Sequence, residues 1–412
     1  MWAMNADLGE LPPGLPAGAV VDLDAIRDNV RLLCERAGSA GVMAVVKADA
    51  YGHGLLPSAR AALAGGASWL GTAQLSEGLA LRAAGIEAPV LAWLTVPGDA
   101  YPAAVAAGID IGVSSGWALA EVAAAAEQVG MVARVHLKAD TGLSRNGATA
   151  ADWPDLVEAA LKLQAVGLIE TIGVFSHFAC SDDPKHPSVQ AQTTGFRAAI
   201  ELAEARGARF ELRHLANSAA ALAIPDSHFD LVRPGIAIFG LSPFPQLASS
   251  AELGLRPAMT LLARVANVKS VPAGEGVSYW HTYTTTRPTR LALLPLGYGD
   301  GLPRQAGNTG PVEIGGRRHR VAGQICMDQI VVDLSERTDD GTDELADVQP
   351  GDVAVLFGGD PGQPTAQEWA DLVGTISYEI VTRIGPRVPR IYVGTAGTAG
   401  YVGTAGTEHD HG

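Results

Sequence analysis

A lysine closes a short apolar run near the start of the chain. Residues 42–47 read VMAVVK, and Tyr51, Gly52 and Gly54 follow Lys47 within seven positions. A partly desolvated lysine amine has a lowered pKa and can act as a nucleophile or a base, and glycines let the backbone approach a ligand closely. A lysine that only extends its amine to solvent from a strand end would give the same pattern. Lys47 by itself therefore leaves both interpretations open.

Other candidate residues have ordinary structural explanations when each is taken singly. Arg145 could form a surface ion pair with Asp140, His177 could be a hydrogen-bonded polar residue, and Tyr279 could be a half-buried aromatic of a strand. Ser218 could be the N-cap of a helix that begins there. A serine hydroxyl at a helix N-terminus also suits a phosphate, and the loops after strands seven and eight of a barrel often bind one.

Strand-like and helix-like segments alternate over residues 42–240. Eight short apolar or β-branched runs are predicted strands: residues 42–47, 68–72, 90–93, 109–113, 132–138, 166–175, 212–216 and 235–240. Amphipathic runs such as 55–64, 117–128 and 189–205 are predicted helices between them. The alternation predicts a (β/α)8 barrel, with an open doubly wound α/β sheet as the alternative. Barrels place active sites at the carboxyl ends of their strands, where Lys47, His177 and Asn217–Ser218 then fall.

The pattern of predicted elements changes after about residue 255. Strand-like runs at 261–271, 290–294, 312–314, 329–334 and 353–357 lie between turn residues and predict a mostly β domain. We therefore expect a flexible arm (1–20), a barrel domain (21–250), a mostly β C-terminal domain (251–393) and a low-complexity flexible tail (394–412), with residues 19–24 as candidates to join the β domain. His409 and His411 fit a solvated tail better than a metal site, and we expect no metal.

Composition and charge exclude several classes of protein. Hydrophobic residues make up 47% and charged residues 18%, which excludes disorder of the whole chain. The net charge of −15 argues against a nucleic-acid or membrane-surface partner. The three widely spaced cysteines, with no CxxC pair, suit a reducing compartment. Without a signal-peptide pattern or a long uncharged apolar run, we expect a cytoplasmic protein.

Several motifs together resemble the alanine racemase family. VVKADAYGHG (45–54) is similar to its cofactor signature, although Asp49 stands where many members have asparagine. The resemblance continues in order over about residues 22–393, through LKADTGLSR (137–145), SHFA (176–179), HLANSAA (214–220), RPGI (233–236), VSY (277–279), GYGDG (297–301), ICMD (325–328), TISYE (375–379) and RVPR (387–390). It implies a pyridoxal 5′-phosphate-dependent isomerase that supplies D-alanine for peptidoglycan.

The resemblance also implies a mechanism with two bases that act on a pyridoxal-phosphate aldimine of alanine. Lys47 would hold the cofactor as the internal aldimine and serve the D-alanine face, and Tyr279 would serve the L-alanine face. Two bases are reasonable because one rigid group cannot reach both faces of a planar carbanion. A tyrosine in water has a pKa near 10, so nearby positive groups, with His177 and Arg233 as candidates, would have to stabilise its phenolate.

The other matched residues would bind the cofactor. Arg145 would bond its phenolic oxygen, and Lys138 matches a lysine that is often carbamylated in the family and then holds this arginine. His177 would stack near the pyridine ring. Arg233 would donate to the ring nitrogen, and because a guanidinium does not accept a proton, the nitrogen stays neutral and reprotonation at Cα is favoured over transamination. Tyr51 and Asn217 would also bind the cofactor, and its phosphate would be bound by Ser218, the amides of Gly235 and Ile236, and Tyr378.

The substrate and the assembly follow from the same resemblance. Arg145 and the Met327 amide would bind the alanine carboxylate, and Tyr298 would narrow the entrance. The family forms head-to-tail homodimers, so Tyr279 and Met327 would come from the other chain. Two alternatives remain: another enzyme of this fold, such as a serine or broad-specificity racemase or a decarboxylase, and a non-catalytic cofactor-binding protein. A second base at Tyr279 argues against mere cofactor storage.

Overall fold

The computed structural model describes residues 11–337, 343–345 and 347–396. These residues form two compact units. The barrel unit comprises residues 26–50 and 55–255, and the β unit comprises the described residues of 1–25, 51–54 and 256–412. The β unit is therefore assembled from three separate stretches of the sequence.

The barrel unit contains one sheet of eight parallel strands. In spatial order they are Gly41–Val45, Trp69–Thr72, Val90–Ala92, Asp110–Val113, Ala133–Lys138, Ile169–Phe175, Leu212–His214 and, beside the first again, Leu231–Val232. Backbone hydrogen bonds from Asp230 N to Arg213 O (3.0 Å) and from Arg233 N to Ala216 O (2.8 Å) connect the last two strands. These bonds close the sheet, and the predicted (β/α)8 barrel is confirmed.

The eighth strand lies earlier in the sequence than expected. We predicted a strand at 235–240, whereas Ile236–Phe239 is a 3-10 helix and the strand is Leu231–Val232. The backbone after the strand bonds locally instead of joining the sheet, because the Ser218 hydroxyl accepts the amides of Gly235 (2.8 Å) and Ala237 (3.3 Å). Arg233 therefore follows the eighth strand directly.

Helices follow most of the strands of the barrel unit. Their bounds are Leu23–Ala37, Leu55–Ala64, Leu75–Ala83, Tyr101–Ala106, Gly116–Val129, Trp153–Ala165, Pro187–Ala205, Ser218–Ala223 and Ser250–Leu253, with a 3-10 turn at Pro225–Ser227. The predicted helices at 55–64, 117–128 and 189–205 are confirmed to within two residues at each end. Their periodicity is clear because small and apolar residues face the sheet and charged residues face away.

Close packing in the barrel unit depends on glycine at two strand positions. A buried cluster contains Met43, Leu91 and Leu231, and partly buried Trp69, Trp93 and Leu212 pack against it. A Cβ at Gly71 or Gly112 would lie 2.7 or 2.8 Å from atoms of the Trp93 side chain. The small residues thus make room for a large ring beside the strands.

The β unit is built on a sheet of nine strands. Their spatial order is Asn267–Val271, Thr289–Leu294, Ile330–Asp333, Arg317–Val321, Pro311–Ile314, Val353–Phe357, Met259–Arg264, Ala17–Asp22 and Arg390–Val393. Ala17–Asp22 pairs antiparallel with Met259–Arg264 and parallel with Arg390–Val393. The residues before the barrel thus add a strand next to the edge of this sheet, and this strand begins inside the segment expected to be a loose arm.

Smaller elements complete the β unit. They are the strand pairs Gly276–Val277 with Tyr283–Thr284 and Ser335–Arg337 with Asp343–Leu345, the helices Ala366–Val373 and Ser377–Thr382, and 3-10 turns at Tyr279–His281, Tyr298–Asp300 and Arg304–Ala306. Two short helices thus accompany the strands, and the predicted mostly β C-terminal domain is confirmed.

Two strand predictions in the β unit need correction. The run 261–271 is divided into Met259–Arg264 and Asn267–Val271, which lie at different positions in the sheet. Arg317–Val321 is a strand that sequence reasoning missed, because its arginines mask the alternation in which only His319 and Val321 are buried.

The two ends of the chain lie partly outside the described residues. The amides of Thr395 and Ala396 donate to the carboxylate of Asp24 at 3.1 and 2.9 Å. The rest of the expected tail, with His409 and His411, and residues 1–10 of the expected arm are not among the described residues. Over the described ranges, no helix has the length and apolar character needed to cross a membrane.

Candidate active site

Lys47 lies two residues after the first barrel strand. Backbone hydrogen bonds from Val45 N to Pro234 O (3.0 Å) and from Val46 N to Gly71 O (2.8 Å) fix this strand end between its two neighbours. Burial is the largest cause that lowers the pKa of Lys47, and Arg145 and Arg233 lower it further, while Glu77 acts in the opposite direction. The amine is therefore easier to deprotonate than that of a lysine in water, as a nucleophile or base requires.

A left-handed turn follows Lys47. Ala48, Asp49, Ala50 and Tyr51 have φ values of 55°, 52°, 55° and 54°, a conformation that costs roughly 1–2 kcal/mol for each residue with a Cβ. Two carboxylates hold the turn: Glu77 accepts the Ala48 amide at 2.6 Å, and Asp49 accepts the Leu55 amide at 2.7 Å. Strain of this kind persists where a functional side chain must be aimed.

Substitution of Ala48, whose side chain is exposed, tests this strain. Ala48→Val puts a β-branched residue at φ 55° and should lower the free energy of unfolding by about 1–2 kcal/mol relative to Ala48→Gly, which tolerates positive φ. Urea unfolding of both variants measures the difference. Equal stability of the valine and glycine variants would contradict a strained turn.

Basic side chains other than Lys47 also lie at the carboxyl ends of the strands. Lys138 ends the fifth strand, and burial, followed by Arg233 and Arg145, lowers its pKa to about 8. His177 follows the sixth strand, and burial with the same two arginines keeps its pKa well below the ordinary value, so this imidazole is neutral. The concentration of positive charge suits a ligand that carries carboxylate or phosphate groups.

Arg145 lies on a loop shaped by Asp140. One oxygen of Asp140 accepts the amides of Gly142, Leu143 and Ser144 at 2.9, 3.1 and 3.1 Å. Among the described residues no ion pair joins Asp140 to Arg145. The surface ion pair considered for Arg145 is thus absent there, and its electrostatic effect is on Lys47, Lys138 and His177.

Arg233 is the most deeply buried cation of this site. Its Nη1 lies 2.9 Å from His214 Nδ1, and its Nη2 donates to the Ser176 and Leu215 carbonyls at 2.6 and 3.2 Å and lies 3.4 Å from His177 Nδ1. Burial lowers the pKa of Arg233 to about 9, so the group keeps its proton at neutral pH. A guanidinium donates hydrogen bonds and accepts none, so Arg233 can bind only an acceptor atom of a ligand.

Four of the residues expected to bind a phosphate, Asn217, Ser218, Gly235 and Ile236, belong to the barrel unit and follow its seventh and eighth strands. Asn217, not Ser218, is the N-cap of Ser218–Ala223: its side chain accepts the Ala220 amide at 3.1 Å. The Ser218 hydroxyl, which accepts the Gly235 amide, is free to direct its own proton at a ligand. The Ser218 hydroxyl and the backbone of residues 235–236 thus lie close together, as a phosphate site requires.

Five of the expected site residues belong to the β unit. The rings of Tyr51 and Tyr378 lie with their centroids 6.3 Å apart, and burial, with Tyr378, raises the pKa of Tyr51 well above its ordinary value. Tyr279, Tyr298 and Met327 are exposed, at 67%, 42% and 53%. Tyr279 lies in a 3-10 turn, so the alternative of a half-buried strand aromatic is wrong.

The loops that carry Tyr298 and Met327 are joined to each other. The amides of Tyr298 and Gly299 donate to the carbonyls of Cys326 and Met327, both at 2.9 Å. Arg387 bonds Asp300 and Asp328 at 2.9 and 2.8 Å. These contacts hold two expected substrate-binding positions as one rigid group.

Sequence reasoning missed three functional candidates. Glu77 holds the turn after Lys47, and Asp110 and His136 lie behind Arg233 and His214. His214 was quoted within a motif without a role. For Asp110 and His136 the signal available was an ionisable residue inside an otherwise apolar strand, whereas Glu77 lies on a helix.

The donor set fits pyridoxal phosphate. Lys47 supplies an amine of lowered pKa, Arg233 supplies a donor and no acceptor, and the Ser218 hydroxyl, whose oxygen is held by the Gly235 amide, supplies a phosphate donor. The fold and these residues define a (β/α)8-barrel enzyme with a lysine at a strand end and a β domain in the same chain.

Comparison with known proteins identifies the family. Residues 21–243 match the model of the alanine racemase N-terminal domain, and residues 258–392 match that of the C-terminal domain. An alanine racemase of Frankia casuarinae is 59% identical over 387 residues, which cover 92% of this chain and 98% of the relative. One of Thermobifida fusca is 56% identical over 379 residues, with coverage of 92% and 98%.

Solved structures agree with this assignment. Alanine racemase from Streptomyces lavendulae has a TM-score of 0.89 at 53% identity, with coverage of 94% of this chain and 98% of that chain. The enzyme from Streptomyces coelicolor has a TM-score of 0.89 at 55% identity, with coverage of 93% and 99%. The chain belongs to the alanine racemase family, whose members are isomerases of amino acids.

Proposed function

We propose that this chain interconverts L-alanine and D-alanine with pyridoxal 5′-phosphate as its cofactor. The observation that carries the proposal is the cluster at the strand ends, where Lys47 with its lowered pKa lies under the influence of Arg145 and Arg233. When bound, the cofactor withdraws electrons from the amino acid and makes its Cα proton removable.

The residues of the barrel unit hold and tune the cofactor in this proposal. Lys47 binds it covalently, and Arg145, kept in place by Lys138, donates to its phenolic oxygen. His177, held neutral, stacks near the ring, and Arg233 donates to the ring nitrogen and keeps a proton off it. Retention of the proton on Arg233 favours racemisation, because a less electron-poor ring promotes prompt return of a proton to Cα.

Phosphate and substrate have their own binding groups. The Ser218 hydroxyl, the Ile236 amide and the Tyr51 and Tyr378 hydroxyls would donate to the phosphate, while the Gly235 amide, which donates to the Ser218 oxygen, and Asn217, which caps the Ser218 helix, hold Ser218 in place. The alanine carboxylate is bound by Arg145 and the Met327 amide. Tyr298 limits the size of the side chain that enters, and therefore favours alanine over larger amino acids.

Proton transfer is divided between two bases. Lys47 removes or returns the Cα proton on the D-alanine face, and Tyr279 does so on the L-alanine face. A chiral assay of the purified protein on L-alanine, with borohydride trapping to locate the cofactor on Lys47, tests the whole proposal. Formation of D-alanine supports it. If no D-alanine forms, the result favours a protein that stores the cofactor. If serine or another amino acid is turned over faster than alanine, that amino acid is the substrate.

We also propose a head-to-tail homodimer in which Tyr279 and Met327 serve the partner's barrel. The exposure of Tyr279 (67%), Trp280 (90%) and Met327 (53%) supports a covering partner. Inactive Lys47→Ala and Tyr279→Phe proteins, mixed and reassembled, should recover about a quarter of the activity, because half the dimers are mixed and one of their two sites has both bases. The control is Lys47→Ala mixed with the double variant Lys47→Ala/Tyr279→Phe, in which no site has both bases. No recovery would contradict shared sites.

Lys138 is proposed to be carbamylated. Its pKa of about 8 leaves about a tenth of the amine neutral at pH 7, and the neutral amine is the form that reacts with CO2 to give a carbamate and a proton. The modified fraction should rise from pH 7 to pH 9 and with added bicarbonate. A carbamate signal in carbon-13 NMR with labelled bicarbonate, absent from Lys138→Gln, measures it. A signal independent of Lys138 would contradict the assignment.

The biological role rests on the family and on composition. We propose that the D-alanine made in the cytoplasm supplies peptidoglycan. Loss of the gene should then make growth depend on added D-alanine.

A further inference from the structure

A row of buried polar side chains continues behind Arg233. Arg233 Nη1 lies 2.9 Å from His214 Nδ1, His214 Nε2 lies 2.9 Å from His136 Nδ1, and His136 Nε2 lies 3.2 Å from Asp110 Oδ2. Both imidazoles are completely buried, and Asp110 and Arg233 are 2% and 5% exposed. We call these four residues the buried network. The mechanism proposed above uses only its first member, Arg233.

The two ends of the buried network fix the direction of every hydrogen bond in it. A guanidinium can only donate, so His214 Nδ1 must accept, and its proton is on Nε2. That proton is donated to His136 Nδ1, so His136 carries its own proton on Nε2, opposite a carboxylate that can only accept. Burial, with Arg233 and His136, lowers the pKa of His214 well below its ordinary value, which agrees with a neutral ring.

Aromatic packing holds the two imidazoles in this geometry. Phe175 stacks on His214 with ring centroids 5.0 Å apart and planes 5° apart, and Trp69 meets His136 edge-on at 5.5 Å. Gly173 pairs with His136 across the sheet, and a Cβ at this glycine would overlap the His136 ring. The site is therefore shaped to receive a histidine in one orientation.

We propose that Asp110 is a positioning residue for Arg233 and acts through the two histidines. Its carboxylate selects the Nε2–H form of His136 and supplies the negative charge that partly compensates the buried guanidinium. The network then gives Arg233 Nη1 one fixed acceptor, while Ser176 and Leu215 fix Nη2. The consequence for catalysis rests on the proposed contact of Arg233 with the cofactor, whereas the network itself does not.

Asp110 also bonds a residue outside the buried network, which provides a control. Its Oδ1 accepts from Arg134 Nε at 2.9 Å, and the Arg134 side chain is 39% exposed and also contacts Glu170. Arg134→Gln removes a partner of Asp110 and leaves the hydrogen bonds toward Arg233 in place. Asp110→Asn keeps an acceptor without the charge, and Asp110→Leu removes both.

Nitrogen NMR of the imidazoles in the cofactor-free protein tests the network directly. His136 and His214, assigned with His136→Gln and His214→Gln, should both show a protonated Nε2 and a bare Nδ1. Asp110→Leu should deprive the His136 Nε2–H of its acceptor, which shifts the His136 resonances, and should speed solvent exchange of the Arg233 N–H protons; Asp110→Asn should largely retain the wild-type spectrum and exchange. A protonated Nδ1 in the wild type, or an unchanged spectrum in Asp110→Leu, overturns the proposal.

Activity of the holoenzyme supplies the second readout. Misplacement of Arg233 in Asp110→Leu should lower kcat about ten- to a hundredfold and raise the ratio of transamination to racemisation, while Arg134→Gln leaves both unchanged. If Asp110→Leu does not fold, Asp110→Asn should show a smaller change in the same ratio, and an unchanged ratio in every folded Asp110 variant overturns the positioning role. If the NMR result is as expected but the protein does not racemise alanine, the proposed function is overturned and the proposed role of the buried network is retained.

Discussion

Lys47→Ala should lower alanine racemisation by about ten-thousandfold or more, because it removes the covalent anchor of the cofactor and one of the two proposed bases together. The lysine lies at the end of a strand fixed by bonds to Pro234 and Gly71, so the substitution removes the amine without disturbing the sheet. Cofactor should still bind through the phosphate groups, but borohydride should no longer attach it to the protein.

Lys47→Arg is the matched control for charge. An arginine restores a positive group and much of the side-chain volume, but its guanidinium does not lose a proton at working pH and is a poor nucleophile. Both variants should therefore be inactive, and chiral chromatography of the products measures the loss. Racemisation by Lys47→Ala within tenfold of the wild type would show that another group performs the chemistry.

Tyr279→Phe should lower racemisation in both directions by about a hundred- to ten-thousandfold, the usual contribution of a positioned base. The substitution removes only the hydroxyl, and because the ring is 67% exposed, we expect little effect on the stability of the chain. The value of kcat/KM must fall by the same factor in both directions, since the enzyme cannot change the equilibrium between the enantiomers.

Deuterium exchange separates the two bases where steady-state rates cannot. In heavy water, Tyr279→Phe should still introduce deuterium at Cα of D-alanine through Lys47, with retention of configuration. It should introduce little into L-alanine, since the base on that face is missing. Wild-type protein exchanges both enantiomers and is the reference. Equal exchange of both enantiomers by Tyr279→Phe, or full racemisation, would exclude Tyr279 as the second base.

Local sequence was sufficient where the signal was local. Periodicity placed the helices Leu55–Ala64 and Gly116–Val129 almost to the residue, and the alternation of elements predicted the barrel. Short motifs pointed to Lys47, Arg233 and Tyr279 as residues to test. A strand end, a helix face and a motif are each contained in a few consecutive residues, which is the range over which pattern and propensity act.

The tertiary structure decided what depends on distant partners. The two-residue strand Leu231–Val232 is too short to show a pattern, and it exists because Gly41–Val45 offers it an edge. Ala48–Tyr51 adopts a left-handed turn that these residue types disfavour, and Glu77, which lies on the helix Leu75–Ala83, holds this turn. In both places long-range hydrogen bonds outweigh local preference.

The buried network shows the same division most clearly. The sequence determined that Asp110, His136, His214 and Arg233 are present, in four different strands or strand ends spread over residues 110–233. Parallel pairing of those strands places the side chains within hydrogen-bond distance, and burial makes each unmet hydrogen bond costly. Only the closed barrel therefore turns four isolated polar residues into a single arrangement that can hold Arg233.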